Sequence, residues 1–287
     1  MRRIMISIVG LFAAFMLIGA TEPSGPSKLA ATAYAADSAP TPFAVYENST
    51  LREIIKRGTL LVGMEVEYWP FEYADEKGQA VGFDVAIADL AARELGVKLE
   101  IKDMEWTGLI PALQSGKVDM VISGMTATLE RAKSVTFTDP YFVTGLCLLG
   151  SAKRPKLASV KDLDAAGRIV AVKTGTTADL WAGKNLTRAT INRYKDETAC
   201  VREVVTGRAD AFLYDQLSIA KHQGQNADST YAVLEPFTYE PFGIAIRKGD
   251  FDFWQWLNQY LATIKRDGRY QELFDSHLGP ALAGKAK

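Results

Sequence analysis

Arg131 and Asp215 carry opposite charges in settings that point to one ligand chemistry. Arg131 closes the segment Ser123-Gly-Met-Thr-Ala-Thr-Leu-Glu-Arg131. Its planar guanidinium can grip a carboxylate through two parallel hydrogen bonds. In the same segment Gly124 lets the backbone approach a ligand closely, and Thr126 offers a hydroxyl and an amide. Thr128 and Glu130 fall at an expected helix start, where unpaired N–H groups favour an anion. A second segment, Lys173-Thr-Gly-Thr-Thr-Ala-Asp179, has Thr176 and Asp179 at capping-box spacing, with Gly175 freeing the turn. It lacks the Gly-Lys-Ser/Thr of a nucleotide phosphate loop. Asp215 ends a third segment, Ala209-Asp-Ala-Phe-Leu-Tyr-Asp215. A carboxylate there can face an ammonium group or simply cap the helix expected from Gln216.

Each segment alone has a plain structural account as a capped helix or a strand end. Together they supply both signs of charge. A buried zwitterion is costly unless each of its charges is matched, so Arg131 with two helix starts suits an α-carboxylate and Asp215 suits an α-ammonium. Tyr68, Trp69, Phe71 and Trp106 are available as apolar walls, with Phe71 assigned to ordinary core.

The elements that position these residues alternate between strand and helix. A short helix over 51–58, ended by Gly58, leads into a buried strand over 59–64. A helix opens at Gly82-Phe83-Asp84 and stops at Gly96, with Val85, Ile87, Ala88, Leu90, Ala91 and Leu95 at helical spacing. Strand 97–101, helix 109–113 and strand 118–122 follow. The pattern restarts with strand 168–172, a helix from Asp179, strand 191–194, a helix over 198–206 and strand 209–214. It ends with strand 242–246 and helices over 251–265 and 270–278. This alternation predicts parallel α/β sheets in two lobes, and in such sheets ligands bind off the carboxyl ends of strands. Crossings between the lobes are expected at 145–150 and 234–240. Lobe one is expected over 51–144 and 240–287, with lobe two inserted over 145–239.

Composition narrows the function classes. The chain is 48% hydrophobic and 23% charged, with a formal net charge of −1, the balance of a soluble globular protein. That gives no basic footprint for nucleic acid. The N-terminus runs positive (Arg2, Arg3), apolar (Ile4 to Ala20), then small, ending Ala35-Ala36, which is the layout of a cleavable secretory signal over 1–36. A flexible lead-in over 37–50 is expected to follow. Cys147 and Cys200 are the only cysteines; they are read as small buried apolar residues. His222 and His277 have no partner at ligand spacing, so no metal and no cofactor is expected.

The sequence resembles bacterial extracellular solute-binding protein family 3, the polar amino-acid receptors of ATP-driven importers. The matching stretches are Pro70-Phe-Glu-Tyr73, Gly82-Phe-Asp84, Trp106-Thr-Gly-Leu-Ile-Pro-Ala-Leu113, Ile122-Ser-Gly-Met-Thr126 and Glu130-Arg-Ala132. Phe137-Thr-Asp-Pro-Tyr-Phe142, Gly175-Thr-Thr177, Gly207-Arg-Ala-Asp-Ala211 before Asp215, and Lys265-Arg-Asp-Gly-Arg-Tyr270 continue the match, which spans about 51–280. Any one stretch is weak; their order and spacing are specific.

The resemblance implies a periplasmic-binding-protein type II fold, two α/β lobes joined by two hinge crossings. It implies a monomeric, non-enzymatic receptor in the periplasm, with a free amino acid as ligand and the membrane permease of an ABC importer as partner. It places Gly124, Thr126 and Arg131 at the carboxylate, Thr176 and Thr177 as the second lobe's contribution, Asp215 at the ammonium, and Tyr68 and Trp106 as walls. Glu65 falls where receptors for basic amino acids are often acidic, which leans towards lysine, arginine or ornithine; the neighbouring Glu67 can compete for that role. The alternative on the same scaffold is an enzyme resembling cyclohexadienyl dehydratase.

Overall fold

The computed structural model describes residues 49–282, so the expected signal over 1–36 and most of the lead-in lie outside the described residues. Ser49 caps the first helix, α1 (Thr50–Arg57), by accepting from the Arg52 amide. Strand β1 (Thr59–Met64) follows, then a small ribbon of β2 (Glu67–Tyr68), β3 (Glu72–Ala74) and β4 (Ala80–Val81), and the helix α2 (Phe83–Glu94). Next come β5 (Lys98–Asp103), α3 (Leu109–Gln114), β6 (Met120–Val121), β7 (Val135–Phe137) and β8 (Phe142–Thr144). The middle of the chain forms β9 (Leu146–Ser151), β10 (Ile169–Lys173), α4 (Thr177–Asn185), β11 (Thr190–Tyr194) and α5 (Glu197–Thr206). It continues with β12 (Ala211–Asp215), α6 (Gln216–Gln225) and β13 (Thr230–Val233). The last segment is β14 (Glu240–Phe242), β15 (Ala245–Arg247), α7 (Phe251–Arg266), α8 (Arg269–His277) and α9 (Gly279–Leu282).

Two five-stranded sheets result, in the orders β5-β1-β6-β15-β7 and β11-β10-β12-β9-β13. Their central strands are buried on both faces, which is why β1, β9 and β10 read as near-continuous apolar runs, whereas the edge strands β5 and β11 interleave polar residues. In β6, Met120 packs into one core cluster and Val121 into the opposite one. In β9, Leu146 and Leu148 face one layer while Cys147 and Leu149 face the other. Cys200 lies in the same layer as Cys147, and both are free buried thiols, so they fill space as small hydrophobes.

The sheets are mixed rather than wholly parallel. Strand β15 runs antiparallel to β6 and β7, and β9 runs antiparallel to β12 and β13. The strand expected over 242–246 is two strands. Its first residue belongs to β14, which pairs with β8 in a two-stranded antiparallel ribbon connecting the lobes. Its last two belong to β15 in the first sheet. The chain changes partner at Gly243-Ile244, and an apolar run does not reveal a change of partner. The ribbon also moves the first crossing: from Leu146 onward the expected 145–150 segment is the buried strand β9 of the second sheet.

Candidate ligand-binding site

The carboxyl ends of β1, β6, β10 and β12 converge on one cavity between the two sheets. Its lining includes Glu65, Tyr68, Trp106, Gly124, Thr126, Arg131, Thr176, Thr177 and Asp215, so all nine residues singled out by sequence meet there. Trp69 and Glu67 do not. Both border a separate outer cleft, where Lys221 Nζ sits 5.5 Å from the centre of the Trp69 ring.

At one end lies Arg131, buried to 8% exposure. Its Nη1 donates to the Thr126 carbonyl at 2.9 Å and its Nη2 to the Gly175 carbonyl, across the cleft, at 3.2 Å. The guanidinium packs over the Trp106 ring, 5.1 Å from its centre. Burial pulls its pKa down to about 10, which leaves it charged at neutral pH. A guanidinium has five N–H donors, so two bonds to carbonyls leave capacity for a carboxylate.

The helix expected at Thr128 is not there. Arg131–Lys133 forms only a single 3₁₀ turn, with the Arg131 amide donating to Thr128 Oγ1 at 3.1 Å. Lys133 instead pairs with the exposed Glu130, and three residues are too few to align the dipoles of a helix. On the Arg131 side, one full helix start therefore borders the cavity rather than two. It belongs to α4, capped by Thr176, whose Oγ1 accepts from the Asp179 amide at 3.4 Å. Asp179 Oδ2 completes the cap one residue early, accepting from the Gly175 amide at 3.0 Å.

Gly124 contributes shape. Its φ is +51°, and a Cβ would stand 2.3 Å from the Tyr68 ring, so only glycine lets the loop pass beneath Tyr68. Its amide is already committed to Asp84 Oδ2 at 2.8 Å. Asp84 also accepts from the Tyr141 hydroxyl at 2.7 Å. Beside it Glu72 accepts from the Ser123 hydroxyl at 2.5 Å. Burial, then the neighbouring Asp84, hold the Glu72 carboxyl well above the usual range, and burial pushes Asp84 up to about 6. These two acids prop the Gly124 loop from behind.

At the other end of the cavity, Asp215 meets the helix-cap reading of the sequence. Its Oδ1 caps α6, accepting from the amides of Leu217 at 3.1 Å and Ser218 at 3.2 Å. Its Oδ2 is buried and accepts no hydrogen bond of ordinary geometry, although the nearby Tyr68 hydroxyl acts to lower its pKa. Burial, and then the charge of Glu197, push its pKa up to about 7. A buried carboxylate oxygen so poorly matched is costly, and a cation placed on it would relieve that cost. Tyr68 stacks on Phe71 at 4.9 Å and meets the edge of Tyr214 at 5.8 Å, forming the apolar wall between the two charges. Phe71 itself is fully buried.

Glu65 is not free. Its Oε1 accepts from the Trp106 amide at 3.1 Å, and its Oε2 is bound by Lys173 Nζ from the opposite lobe. Lys173 is 1% exposed.

The family model for bacterial extracellular solute-binding proteins, family 3, matches residues 60–280. The chain belongs to this family. Among curated relatives, the L-cystine-binding protein of Escherichia coli K12 is 31% identical over 234 residues, covering 81% of this chain and 87% of that one. A probable histidine-binding protein of Neisseria gonorrhoeae is 34% identical over 231 residues, covering 79% and 85%. Among solved structures, an ancestral amino acid-binding protein described as a precursor of cyclohexadienyl dehydratase superposes with a TM-score of 0.74. It is 43% identical and covers 80% of this chain and 99% of that one. A putative ABC-transporter binding component from Wolinella succinogenes complexed with lysine gives 0.72 at 41% identity, covering 77% and 96%. Family members in these comparisons are amino-acid-binding proteins of transporters, and the two-lobed α/β fold is theirs.

Sequence reasoning missed several lining residues of this family member, chiefly Glu72, Ser123, Tyr214, Glu240 and Phe242. Glu240 was hidden inside an expected crossing; it is buried with Oε2 unpartnered, near Arg131. Ser123 and Tyr214 are sequence neighbours of residues that were found. Lys173 had one legible signal: a lysine ending a wholly apolar strand needs a buried counter-charge.

Proposed function

We propose that this chain is a periplasmic receptor that captures a free amino acid between its lobes and delivers it to the permease of an ABC importer. The observation that carries this is the opposed pair of Arg131 and Asp215, whose Oδ2 accepts no hydrogen bond of ordinary geometry, set on facing lobes around one cavity. A zwitterion matches both, and matching both draws the lobes together, as in hinge-type closure. Gly124, Thr126, Thr176 and Thr177 border the carboxylate end, while Tyr68 and Trp106 wall the Cα. Export through a cleavable signal over 1–36 and action as a monomer belong to the same reading. No helix among the described residues is long and apolar enough to cross a membrane.

A cationic side chain has support in the names of relatives, including the lysine complex and an L-arginine-binding protein of Pseudomonas aeruginosa. Its basis in this chain is the charge of Glu65, and that charge is met by Lys173. The cationic lean is therefore narrower than the amino-acid reading. Dehydratase chemistry, for which one structural neighbour is described as a precursor, needs an acid free to move a proton onto substrate. Asp215 is tied to two helix amides through Oδ1, but its Oδ2 is free and its pKa is pushed up to about 7, so a turnover assay is what separates the two readings.

Isothermal titration of protein stripped of co-purified ligand, against all common amino acids, tests the reading. The expected result is saturable binding of at least one free amino acid and no turnover of prephenate or arogenate. Absence of binding to any amino acid, or turnover, would overturn it.

A further inference from the structure

Lys173 is the last residue of β10 and ends a strand that is otherwise apolar. Its ammonium is not directed to solvent. It reaches across the cleft and bonds Glu65 Oε2, in a pair between residues 108 positions apart in sequence. The Trp106 amide fixes the other Glu65 oxygen. The backbone on the lysine side is equally set, because the Lys173 carbonyl accepts from the Thr176 hydroxyl at 2.8 Å. The pair is therefore built into the loops that frame the cavity.

We infer that Lys173 is a specificity-determining residue: it supplies Glu65 with an internal cation, so that the side-chain end of the site takes an uncharged side chain and rejects a cationic one. This rests on reading the cavity as an amino-acid site.

Charge counting supports it. The ligand's carboxylate and ammonium are assigned to Arg131 and Asp215. Of the remaining carboxyls in the lining, Glu72 is engaged with Ser123 and lies against Asp84 behind the Gly124 loop. Glu240 lies near Arg131, at the carboxylate end. Among the lining carboxyls this leaves Glu65, whose charge is met by Lys173; the buried Glu197 behind the lining also lies within range of Lys173, and is itself engaged by Ser218 and His222. A lysine or arginine side chain entering beside Glu65 would meet the Lys173 ammonium in a buried site, where like charges repel far more than in water. It could bind only by displacing Lys173 from Glu65, which would break a buried hydrogen-bonded ion pair and leave that ammonium with Glu197 alone as a nearby carboxylate. An uncharged polar side chain preserves the balance and can hydrogen-bond to either member of the pair. Discrimination of this kind works by building a repulsive element against the wrong ligand.

The test is titration of stripped wild-type protein and of Lys173→Met against lysine, arginine and ornithine, and against amino acids with uncharged polar side chains. Wild type is expected to bind an uncharged-side-chain amino acid at least tenfold more tightly than any cationic one. Lys173→Met is expected to move that ratio at least tenfold towards the cationic ligands. Equal or tighter binding of lysine or arginine by wild type, or an unchanged ratio in a folded Lys173→Met, overturns the assignment of Lys173 and leaves the amino-acid reading standing. Failure of wild type to bind any amino acid sinks both. Should Lys173→Met fail to fold, Glu65→Gln gives an independent reading. It leaves the ammonium without its carboxylate, so glutamate or aspartate should gain at least fivefold relative to lysine; no gain overturns the inference.

Discussion

The two ends of the cavity treat charge in opposite ways. Where the ligand's backbone is assigned, charge is matched only loosely: Asp215 Oδ2 accepts no hydrogen bond of ordinary geometry, and Arg131 hydrogen-bonds neutral carbonyls, with the buried Glu240 carboxylate nearby. Where the side chain is assigned, charge is matched within the protein by Glu65 and Lys173. A loosely matched buried charge destabilises the closed form until something arrives to match it. A matched pair stabilises closure with or without a ligand and turns away a further charge. On the proposed reading, the same residue types recruit at one end and exclude at the other, and only their partners distinguish the roles.

The sharpest way to break this contrast is at the recruiting end. Arg131→Ala or Asp215→Ala leaves one charge of a bound zwitterion buried without a partner, a loss of ~3–5 kcal/mol for such pairs. Binding should fall by more than about a hundredfold in each, with the circular dichroism spectrum and cooperative melt retained. Wild-type-like affinity in both variants would remove the zwitterion site altogether.

Stability should move the other way when only the charge at Asp215 is removed. Asparagine keeps an Oδ1 able to accept from Leu217 and Ser218, so the α6 cap survives. The folded-state pKa of Asp215 is pushed up to about 7, against about 4 for an unfolded aspartate. The folded protein therefore holds a proton that the unfolded chain releases. The resulting stability is full below about pH 4 and is lost as pH rises through about 7. Asp215→Asn should consequently stabilise the ligand-free protein, and its advantage should grow by about 2–3 kcal/mol between pH 5 and pH 8. Urea midpoints of both proteins at the two pH values measure this. A difference independent of pH would mean that Asp215 Oδ2 is matched after all.

The same distinction marks what could be read in the sequence. Recruiting residues announce themselves locally: Arg131 follows a Gly-Thr loop off a strand, and Asp215 ends a strand and opens a helix. Strands buried on both faces are legible as apolar runs, and the α4 start is legible from Thr176 and Asp179. What failed depended on distant partners. The helix expected after Thr128 is a single 3₁₀ turn, whose arginine is held by the Gly175 carbonyl across the cleft. The run 242–246 split because it serves both the connecting ribbon and a sheet. Glu65 was legible as a lining residue, but nothing near it in sequence reveals its partner Lys173.

A second ion pair joins the two lobes and should matter least. Lys195 Nζ lies 2.6 Å from Glu105 Oε1, but the side chains are 71% and 56% exposed. Water already solvates both charges, salt screens them, and holding two long side chains in register costs entropy. Lys195→Ala should change ligand affinity by less than about threefold, and any effect should vanish in high salt. Lys173→Met, at 1% exposure, should change selectivity by more than that at any ionic strength, because buried pairs are screened far less. If titrations at low and high salt gave the two substitutions equal effects, burial would not be what separates the excluding pair from a solvated contact.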